Sequence, residues 1–343
     1  MAWTMPAETA AQDRVWMAFP ASGYTLGDTE ADAEAARTCW ADVARAAARF
    51  TPVTMVVDPA ARAHADRHLG DAVEIVERPL DDAWMRDIGP TFVHDDAGRL
   101  AAVDWVFNGW GQQEWASWGH DRHIGAAVAG LAGAPLLASA LVNEGGGFHV
   151  DGAGTALATE TVQLDPHRNP GATKADVEAE FSRLLGVEKV IWLPRGLARD
   201  NGEFGTRGHV DIVATFPAPG VVLYHDQRDP GHPDHALSTE LRALFGAASD
   251  AGGNLLRAVA VPAPATLRDE AGWVDYSYLN HLVTNGGVVA CTFADKHDDE
   301  ALAVLAEAYP GRDVVGVDAR ELFARGGGIH CITQQQPAPR RQP

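Results

Sequence analysis

The chain has 343 residues, and its 47 aspartate and glutamate residues against 27 lysine and arginine residues give a formal net charge of −20. Nucleic-acid binding requires clustered basic side chains, and the sequence has one short basic run, at residues 340–341, so we expect no nucleic-acid partner. An acidic surface attracts small cations instead. The three cysteines lie far apart, which excludes a disulfide scaffold and a zinc site built on paired cysteines.

The sequence carries no signal for a membrane or for secretion. No apolar segment approaches the roughly 18 residues of a membrane helix, and the first residues lack the basic and apolar regions of a signal peptide. We therefore predict a cytoplasmic protein with no membrane partner. Residues 1–343 are expected to form a single domain, with a loose tail rich in proline and glutamine over residues 337–343.

A repeated unit runs along the chain: a short strand, a tight turn, a second strand, a helix and a third strand. In the clearest copy, residues 151–154 supply the Asp and Gly residues that hairpin turns favour. The following apolar stripe of Val177, Phe181 and Leu184 predicts a helix over residues 175–185. In chain order, the copies comprise residues 14–19, 30–49 and 53–57; residues 89–93 and 100–106; residues 145–150, 155–159, 175–185 and 189–193; residues 208–213, 221–224, 239–245 and 256–261; and residues 279–283, 288–291, 298–308 and 313–317.

The first copy has no evident hairpin partner, and the segment 329–333 near the end of the chain is predicted to supply it. Five ββαβ units that close into a ring form a five-bladed α/β propeller. Joining the two ends of the chain in one blade is one way to remove exposed sheet edges. The repeat alone also allows an open α/β sheet.

Unusual polar residues stand at the starts of the inner strands, where a ring of strands brings equivalent ends together. These residues are Asp87, Glu144, His209, Asp211 and Cys331. Glycines beside them allow the backbone to approach a ligand closely. His209 and Asp211 are two residues apart on a predicted strand, so their side chains are expected to share a face.

Cys331 differs from the other two cysteines in its surroundings. Cys39 lies in an Ala-rich helix and Cys291 in an apolar strand, so both are expected to be core residues. Cys331 follows three glycines and precedes polar residues, which predicts the one reactive thiol. His330, next to it on the predicted strand, is expected to point to the opposite face and to take no part in the chemistry.

These residue types suit an attack on a guanidinium group. Asp87 and Asp211 are predicted to bind the planar cation, because carboxylates accept its paired N–H groups. The Cys331 thiolate attacks the central carbon, and His209 protonates the departing nitrogen and then activates water. Glu144 orients or tunes His209. The predicted products are ammonia and a ureido compound, and the predicted reaction uses no metal or other cofactor.

The chain resembles the agmatine deiminase family, close to the bacterial peptidylarginine deiminases of the guanidine-modifying pentein superfamily. The segments that carry the resemblance are residues 5–8 (MPAE), 16–20 (WMAFP), 84–91 (WMRDIGPT), 143–146 (NEGG), 208–211 (GHVD) and 326–335 (GGGIHCITQQ). Because they span nearly the whole chain in order, the resemblance implies the family's fold, a five-bladed α/β propeller.

The resemblance also implies an activity and roles for the matching residues. Agmatine would be hydrolysed to N-carbamoylputrescine, a step in polyamine synthesis, by a homodimer. Cys331 would be the nucleophile and His209 the general acid and base, with Glu144 as the partner of His209. The remaining matches are to the guanidinium-binding residues Asp87 and Asp211 and to Trp84, which would line the substrate channel.

One segment departs from the family pattern, just ahead of residue 208. Arg207 replaces a small polar residue, and Gly205 stands where an acidic residue is usual. If Arg207 faced the channel, it would repel the amine of agmatine and favour a carboxylate-bearing guanidine such as arginine, a guanidino acid or peptidylarginine. If Arg207 points outward and pairs with Asp200 or Glu203, agmatine stays the expected substrate.

Two further classes of function use the same residues differently. His209, Asp211, Glu144 and Cys331 could ligate the metal ion of a metal-dependent hydrolase. They could alternatively belong to a binding module that recognises guanidinium without reacting. Sensitivity to chelators would distinguish the first class, and binding without ammonia release would distinguish the second.

Overall fold

The computed structural model describes residues 2–340. Its strands are β1 (Trp3–Thr4), β2 (Gln12–Ala18), β3 (Val53–Val57), β4 (Glu74–Glu77), β5 (Thr91–Asp95), β6 (Leu100–Val106), β7 (Leu136–Val142), β8 (Phe148–Val150), β9 (Thr155–Thr159), β10 (Lys189–Leu193), β11 (Ala214–Ala218), β12 (Val221–Asp226), β13 (Arg257–Pro262), β14 (Arg268–Asp269), β15 (Gly272–Trp273), β16 (Leu282–Val283), β17 (Gly287–Thr292), β18 (Asp313–Asp318) and β19 (Thr333–Pro337). Its helices are α1 (Glu30–Ala48), α2 (Arg62–Leu69), α3 (Met85–Ile88), α4 (Gly109–Gln112), α5 (Ile124–Leu131), α6 (Glu160–Gln163), α7 (Lys174–Leu185), α8 (Asp234–Ala247), α9 (Asp298–Ala308) and α10 (Arg320–Phe323).

The fold is mixed α/β and is built from several small sheets. Over residues 2–340, five sheets have three or four strands, in the orders β1-β5-β6-β7, β8-β9-β10, β11-β12-β13, β16-β17-β18 and β19-β2-β3-β4, and β14 pairs with β15 in a separate ribbon. Each of the five contains an antiparallel pair beside a parallel pair. A helix connects the parallel strands, as βαβ crossovers require.

Helix α7 shows why the repeated unit forms. Thr173 caps its N-terminus in a capping box with Asp176, and Gly186 ends it with φ of 69°. Val177, Phe181 and Leu184 of the predicted stripe are buried, and so is Leu185. They pack in a cluster with Trp105 and Phe148, so the helix covers the strands on either side of it.

The two ends of the chain meet in one sheet, as the sequence predicts. β19 pairs antiparallel with β2, with Gln334 opposite Trp16. The strand begins at Thr333 and not at residue 329, because the preceding segment turns: the side-chain oxygen of Asn280 accepts from the backbone N–H groups of His330 and Cys331 at 2.9 and 3.3 Å. This turn presents Cys331 to the interior.

The segment expected to be a loose tail is hydrogen-bonded as far as Arg340. Pro337 belongs to β19, the N–H of Ala338 donates to the carbonyl of Ala11, and that of Arg340 donates to the carbonyl of Gly98. Residues 341–343 lie outside the described part of the chain. Within residues 2–340, no helix combines the length and the apolar composition needed to cross a bilayer.

Candidate active site

A narrow buried cavity lies against Cys331, and we call it the Cys331 cavity. Its lining consists of Trp84, Asp87, Trp110, Trp115, Phe204, Gly205, Thr206, Arg325, Gly326 and Cys331. Asp87 lies in α3, Cys331 in the turn before β19, and Glu144 directly before a 3₁₀ turn at Gly145–Gly147. Three segments, each of which leads into a strand of a different sheet, thus meet at this point.

The sequence predicts that His209 and Asp211 lie on a strand, and this prediction is wrong. They lie at a short 3₁₀-helix, Val210–Ile212. The backbone N–H groups of Gly208 and His209 donate to the carboxylate of Asp200 at 2.8 and 3.0 Å. These donors are therefore not available to a neighbouring strand, and the segment turns. Both side chains still reach the buried cluster beside Cys331.

The Cys331 thiol is buried among polar groups. Its Sγ accepts from Nδ2 of Asn280 at 3.2 Å and lies 3.5 Å from Oδ2 of Asp211. Burial and the carboxylates of Asp211 and Asp87 raise the pKa of the thiol well above its usual range. The thiol is therefore uncharged at neutral pH, and a cation placed beside it would favour the thiolate.

Glu144 holds His209 in place, and Arg168 holds Glu144. Nε2 of His209 lies 3.1 Å from Oε2 of Glu144, and Nε of Arg168 lies 3.0 Å from both carboxylate oxygens. Burial opposes ionisation of Glu144, but Arg168 and His209 lower its pKa to about 2. Burial also opposes the imidazolium, but Asp87 and Glu144 raise the pKa of His209 to about 9. His209 is therefore a charged donor at neutral pH.

Asp87 faces the other ring nitrogen of His209. Its Oδ2 accepts from the indole N–H of Trp110 at 2.9 Å, and its Oδ1 accepts from the backbone N–H of Gly146 at 3.2 Å. Nδ1 of His209 lies 3.9 Å from Oδ1 of Asp87 and has no hydrogen-bond partner within residues 2–340. Burial raises the pKa of Asp87 to about 6, although the His209 imidazolium opposes the rise.

Asp211 is held by His330, contrary to the prediction that His330 points away from the site. Nδ1 of His330 lies 2.8 Å from Oδ2 of Asp211, and its Nε2 lies 2.8 Å from Oε1 of Glu8. Burial and Arg86 oppose the imidazolium, but the two carboxylates raise the pKa of His330. Burial would raise the pKa of Asp211, but His330 lowers it below its usual value. Oδ1 of Asp211 is buried and has no partner in the described part of the chain.

Two glycines allow these groups to approach each other. A Cβ atom on Gly146 would lie 2.4 Å from Nδ1 of His209. One on Gly327 would lie 2.6 Å from the ring of Trp84 and 3.2 Å from Sγ of Cys331. Side chains at these two positions would therefore fill space that the site needs.

Of the predicted site residues, Trp84 lies at the cavity wall and Arg207 does not. Trp84 is buried and packs edge-on against Trp40, with ring centroids 5.5 Å apart. The guanidinium of Arg207 lies 3.4 Å from Oδ2 of Asp165 and 3.5 Å from the carbonyl of Gly111. Its pairing partner is therefore Asp165, and neither of the two partners weighed from the sequence.

One group of side chains in residues 2–340 has the spacing of a metal site, and it is not the predicted set. Ligand atoms of Glu8, His149 and His330 lie within 4.8 Å of one another. However, the backbone N–H of Phe216 donates to Nδ1 of His149 at 3.3 Å, which places the proton of this ring on Nε2. Glu8 is also paired with His330 and, at 3.4 Å, with Arg86. Glu8 and His330 therefore belong to an ion-pair network with Arg86, and His149 is a neutral neighbour of it.

Several residues of the site were given no role from the sequence. Asn280, which contacts Cys331, lies in the repeated segment 279–283. Trp110, the donor to Asp87, stands between two glycines and has φ of 54°. Arg168 lies in the loop between α6 and α7, which has no periodic pattern that would point to it.

Comparison with known proteins identifies relatives over nearly the whole chain. The model of the Porphyromonas-type peptidyl-arginine deiminases matches residues 4–337. A Streptomyces coelicolor protein, provisionally named as an agmatine deiminase, is 57% identical over 338 residues, covering 98% of this chain and 99% of its own. The agmatine deiminase of Stutzerimonas stutzeri is 39% identical over 358 residues, covering 98% of this chain and 95% of its own.

The fold agrees with these sequence matches. The solved structure of the agmatine deiminase of Enterococcus faecalis superposes with a TM-score of 0.91 and 32% identity, covering 98% of this chain and 96% of that one. The motifs, the matched family model and the relatives agree with one another. The chain therefore belongs to the agmatine deiminase family, among the Porphyromonas-type peptidyl-arginine deiminases.

Proposed function

We propose that this protein hydrolyses a C–N bond of agmatine, converting agmatine and water to N-carbamoylputrescine and ammonia. The names of its relatives support the substrate. The observation that carries the proposal is a pair of buried atoms without hydrogen-bond partners in the described residues, Nδ1 of His209 and Oδ1 of Asp211. One is a donor and the other an acceptor, and both belong to the cluster around Cys331. A guanidinium that is held by the acceptor, and whose leaving nitrogen is protonated by the donor after the thiolate adds, needs this combination.

Substrate binding rests on Asp87 and Asp211. Both carboxylates are buried, so their attraction for a guanidinium is screened less than at a surface. Oδ1 of Asp211 accepts a substrate N–H, while His330 occupies Oδ2. Trp84 and Trp110 form flat walls that suit a planar cation. The central carbon of the guanidinium would then lie over Sγ of Cys331.

Binding also prepares the nucleophile. The carboxylates that raise the pKa of the Cys331 thiol are the ones that the guanidinium would neutralise. The cation therefore favours release of the thiol proton to water at the moment when the thiolate is needed, and the ammonia set free later takes up a proton as ammonium. Nδ2 of Asn280 already donates to Sγ at 3.2 Å and would stabilise the negative charge.

The first half of the reaction breaks the C–N bond. The Cys331 thiolate adds to the central carbon, which gives a tetrahedral carbon bonded to sulfur and three nitrogens. Protonated His209 transfers its Nδ1 proton to one terminal nitrogen, which leaves as ammonia. The remaining species is a thiouronium cation bonded to Cys331, and His209 is neutral.

Water completes the turnover. Neutral His209 accepts a proton from water, whose oxygen attacks the thiouronium carbon. Expulsion of the Cys331 thiolate and transfer of the hydroxyl proton to this thiolate give the ureido product and restore the thiol. Glu144 stabilises the imidazolium form of His209 in each cycle through the 3.1 Å contact at Nε2.

The alternative substrate, a carboxylate-bearing guanidine, needs an unpaired cationic side chain at the substrate channel. Arg207 is instead turned toward Asp165, and this contact favours agmatine. Ammonia release from agmatine, arginine and a peptidylarginine tests the choice. We expect agmatine to be preferred. Arginine activity below about one per cent of the agmatine activity would exclude a carboxylate-bearing guanidine as the substrate. Comparable rates on arginine would contradict the proposed substrate.

We also infer that the five sheets are the blades of a five-bladed α/β propeller within one domain. The shared antiparallel-then-parallel order of the strands supports this inference, as does the pairing of β19 with β2. The family resemblance further suggests a homodimer. Sedimentation of the purified protein at several concentrations would test the dimer.

A further inference from the structure

A second pocket opens beside the Cys331 cavity, and we call it the outer pocket. It has a volume of about 580 Å³ and shares Phe204, Gly205 and Gly326 with the wall of the Cys331 cavity. The rest of its lining is formed by Tyr24, Ala198, Arg199, Gly202, Glu203, Pro233, Ala271, Trp273, Asp275, Phe323 and Ala324. A ligand that extends from Cys331 past the shared wall would enter this space.

Asp275 is the unusual residue of the outer pocket. Its side chain lines the pocket, the residue is only 8% exposed, and Oδ1 has no hydrogen-bond partner in the described part of the chain. A buried carboxylate without a partner destabilises the folded protein. Nearby Asp269 is paired with Arg199, and Asp200 accepts from backbone donors. Glu203, the other acid of the lining, is exposed to solvent, so Asp275 is the buried carboxylate left to meet a ligand.

The charges around Asp275 favour a cationic ligand. Burial and the Asp200 carboxylate raise the pKa of Asp275 to about 7; Arg199 opposes the rise, and Asp234 adds to it. Arg199 is itself committed to Asp269 and, at 3.3 Å, to the carbonyl of Trp273. A cation bound beside Asp275 would therefore complete its ionisation and would be the counter-charge that the carboxylate lacks.

The aromatic residues of the outer pocket suit the carbon chain of such a ligand. Tyr24 and Phe204 stack in parallel, with ring centroids 4.1 Å apart and an interplanar angle of 4°. Trp273 lines the same pocket, and the Arg268 guanidinium already lies over its ring at 3.6 Å. The stacked pair offers apolar contact to methylene groups and attracts a cation through the ring quadrupole.

We propose that Asp275 binds the distal ammonium group of the substrate and so selects guanidines with a cationic tail. This inference rests on the proposed function, since Asp87 and Asp211 must hold the other end of the molecule. Agmatine has a guanidinium and an ammonium at opposite ends of a short carbon chain. With the guanidinium at Cys331, the chain passes the shared wall at Phe204 and Gly205 and its ammonium enters the outer pocket.

The test compares agmatine with pentylguanidine, in which a methyl group replaces the ammonium. Asp275→Asn keeps the shape of the side chain and removes its charge. We expect kcat/KM for agmatine to fall roughly ten- to a hundredfold, since a charged hydrogen bond is lost, and kcat/KM for pentylguanidine to stay within about twofold. Glu270→Gln is the matched control, because Glu270 is an exposed acid of the same segment outside the pocket lining, and it should change neither value.

Equal losses on both substrates, or no loss on either, would overturn the proposal. If Asp275→Asn does not fold, the same comparison in the unaltered protein decides the question. The agmatine-to-pentylguanidine ratio of kcat/KM should rise between about pH 6 and about pH 8, as Asp275 ionises. A constant ratio would overturn the proposal. Absence of ammonia release from both guanidines in the unaltered protein would instead refute the proposed function.

Discussion

Nε2 of His209 lies 3.1 Å from Oε2 of Glu144, so that the opposite ring nitrogen, Nδ1, faces Asp87 at 3.9 Å. One nitrogen is thus fixed by a permanent partner, and the other is left for the substrate. The arrangement resembles other nucleophile–base systems, in which a third group orients the base. Because Nδ1 donates the proton to the leaving nitrogen, the rate should depend directly on the protonation state of His209.

The pH dependence of kcat/KM should be bell-shaped. Asp87 must be ionised to bind a guanidinium, and its pKa of about 6 sets the acidic limb. His209 must be protonated to release ammonia, and its pKa of about 9 means that activity is lost as the pH rises through that value. Initial rates across the pH range at a low concentration of pentylguanidine, whose turnover does not depend on Asp275, measure both limbs. An alkaline limb near the ordinary histidine value of about 6.5 would contradict this assignment.

Glu144→Gln should move the alkaline limb to lower pH. The Glu144 carboxylate raises the pKa of His209, so its removal lets burial lower that pKa. We expect a shift of about one unit or more, together with a lower kcat. The kcat/KM profile of the variant measures the shift. A profile with an unchanged alkaline limb would show that Glu144 does not tune His209.

Arg168 and Arg207 both contact Asp165, but their substitution should have different consequences. Arg168→Ala removes the arginine partner of the fully buried Glu144 carboxylate, which keeps only His209, and should cost about 3–5 kcal/mol of unfolding free energy. Arg207→Ala breaks a longer, partly exposed contact and should cost less than about 1 kcal/mol. Denaturant unfolding measures both values. Equal losses of unfolding free energy in the two variants would contradict the prediction that the Arg168–Glu144 pair stabilises the fold more than the Arg207–Asp165 pair.

The Arg207→Ala protein also tests substrate choice. Because Arg207 lies outside the lining of the Cys331 cavity, its removal should leave the ratio of agmatine to arginine turnover unchanged within about twofold. A marked fall in arginine turnover, with agmatine turnover unchanged, would show that Arg207 lines the substrate channel.

Gly146→Ala should reduce turnover while the protein stays folded. The added Cβ would lie 2.4 Å from Nδ1 of His209 and would displace the ring from its proton-transfer position. Gly130→Ala is the matched control, since nothing lies within 4 Å of a Cβ there and the residue belongs to helix α5. It should keep full activity and gain up to about 1 kcal/mol of stability. Equal activity in the two variants would refute the role of Gly146.

The repeated unit and the polar site residues that stand beside glycines could be predicted from the sequence alone. Hydrophobic period and turn residues predicted the strands and helix around Phe181, and glycine-flanked polar residues predicted that Glu144, His209 and Cys331 would meet. The meeting of β19 with β2 followed because one copy lacked a partner.

The segments that carry the site were predicted less well than the strands beside them. The sequence favours strands at His209 and His330, but carboxylate and amide side chains from distant segments bind the backbone there and turn it. Such long-range hydrogen bonds leave no local pattern. For the same reason the role of His330, which depends on Glu8 at the far end of the chain, is visible only in the structure.

The central claim is that Cys331 attacks the guanidinium carbon of agmatine. Its most direct test measures ammonia and N-carbamoylputrescine formed by the unaltered protein, by Cys331→Ser and by the core control Cys291→Ser. We predict equal amounts of the two products from the unaltered protein and from Cys291→Ser, and a rate at least about a thousandfold lower for a folded Cys331→Ser. A near-normal rate for Cys331→Ser would contradict the account.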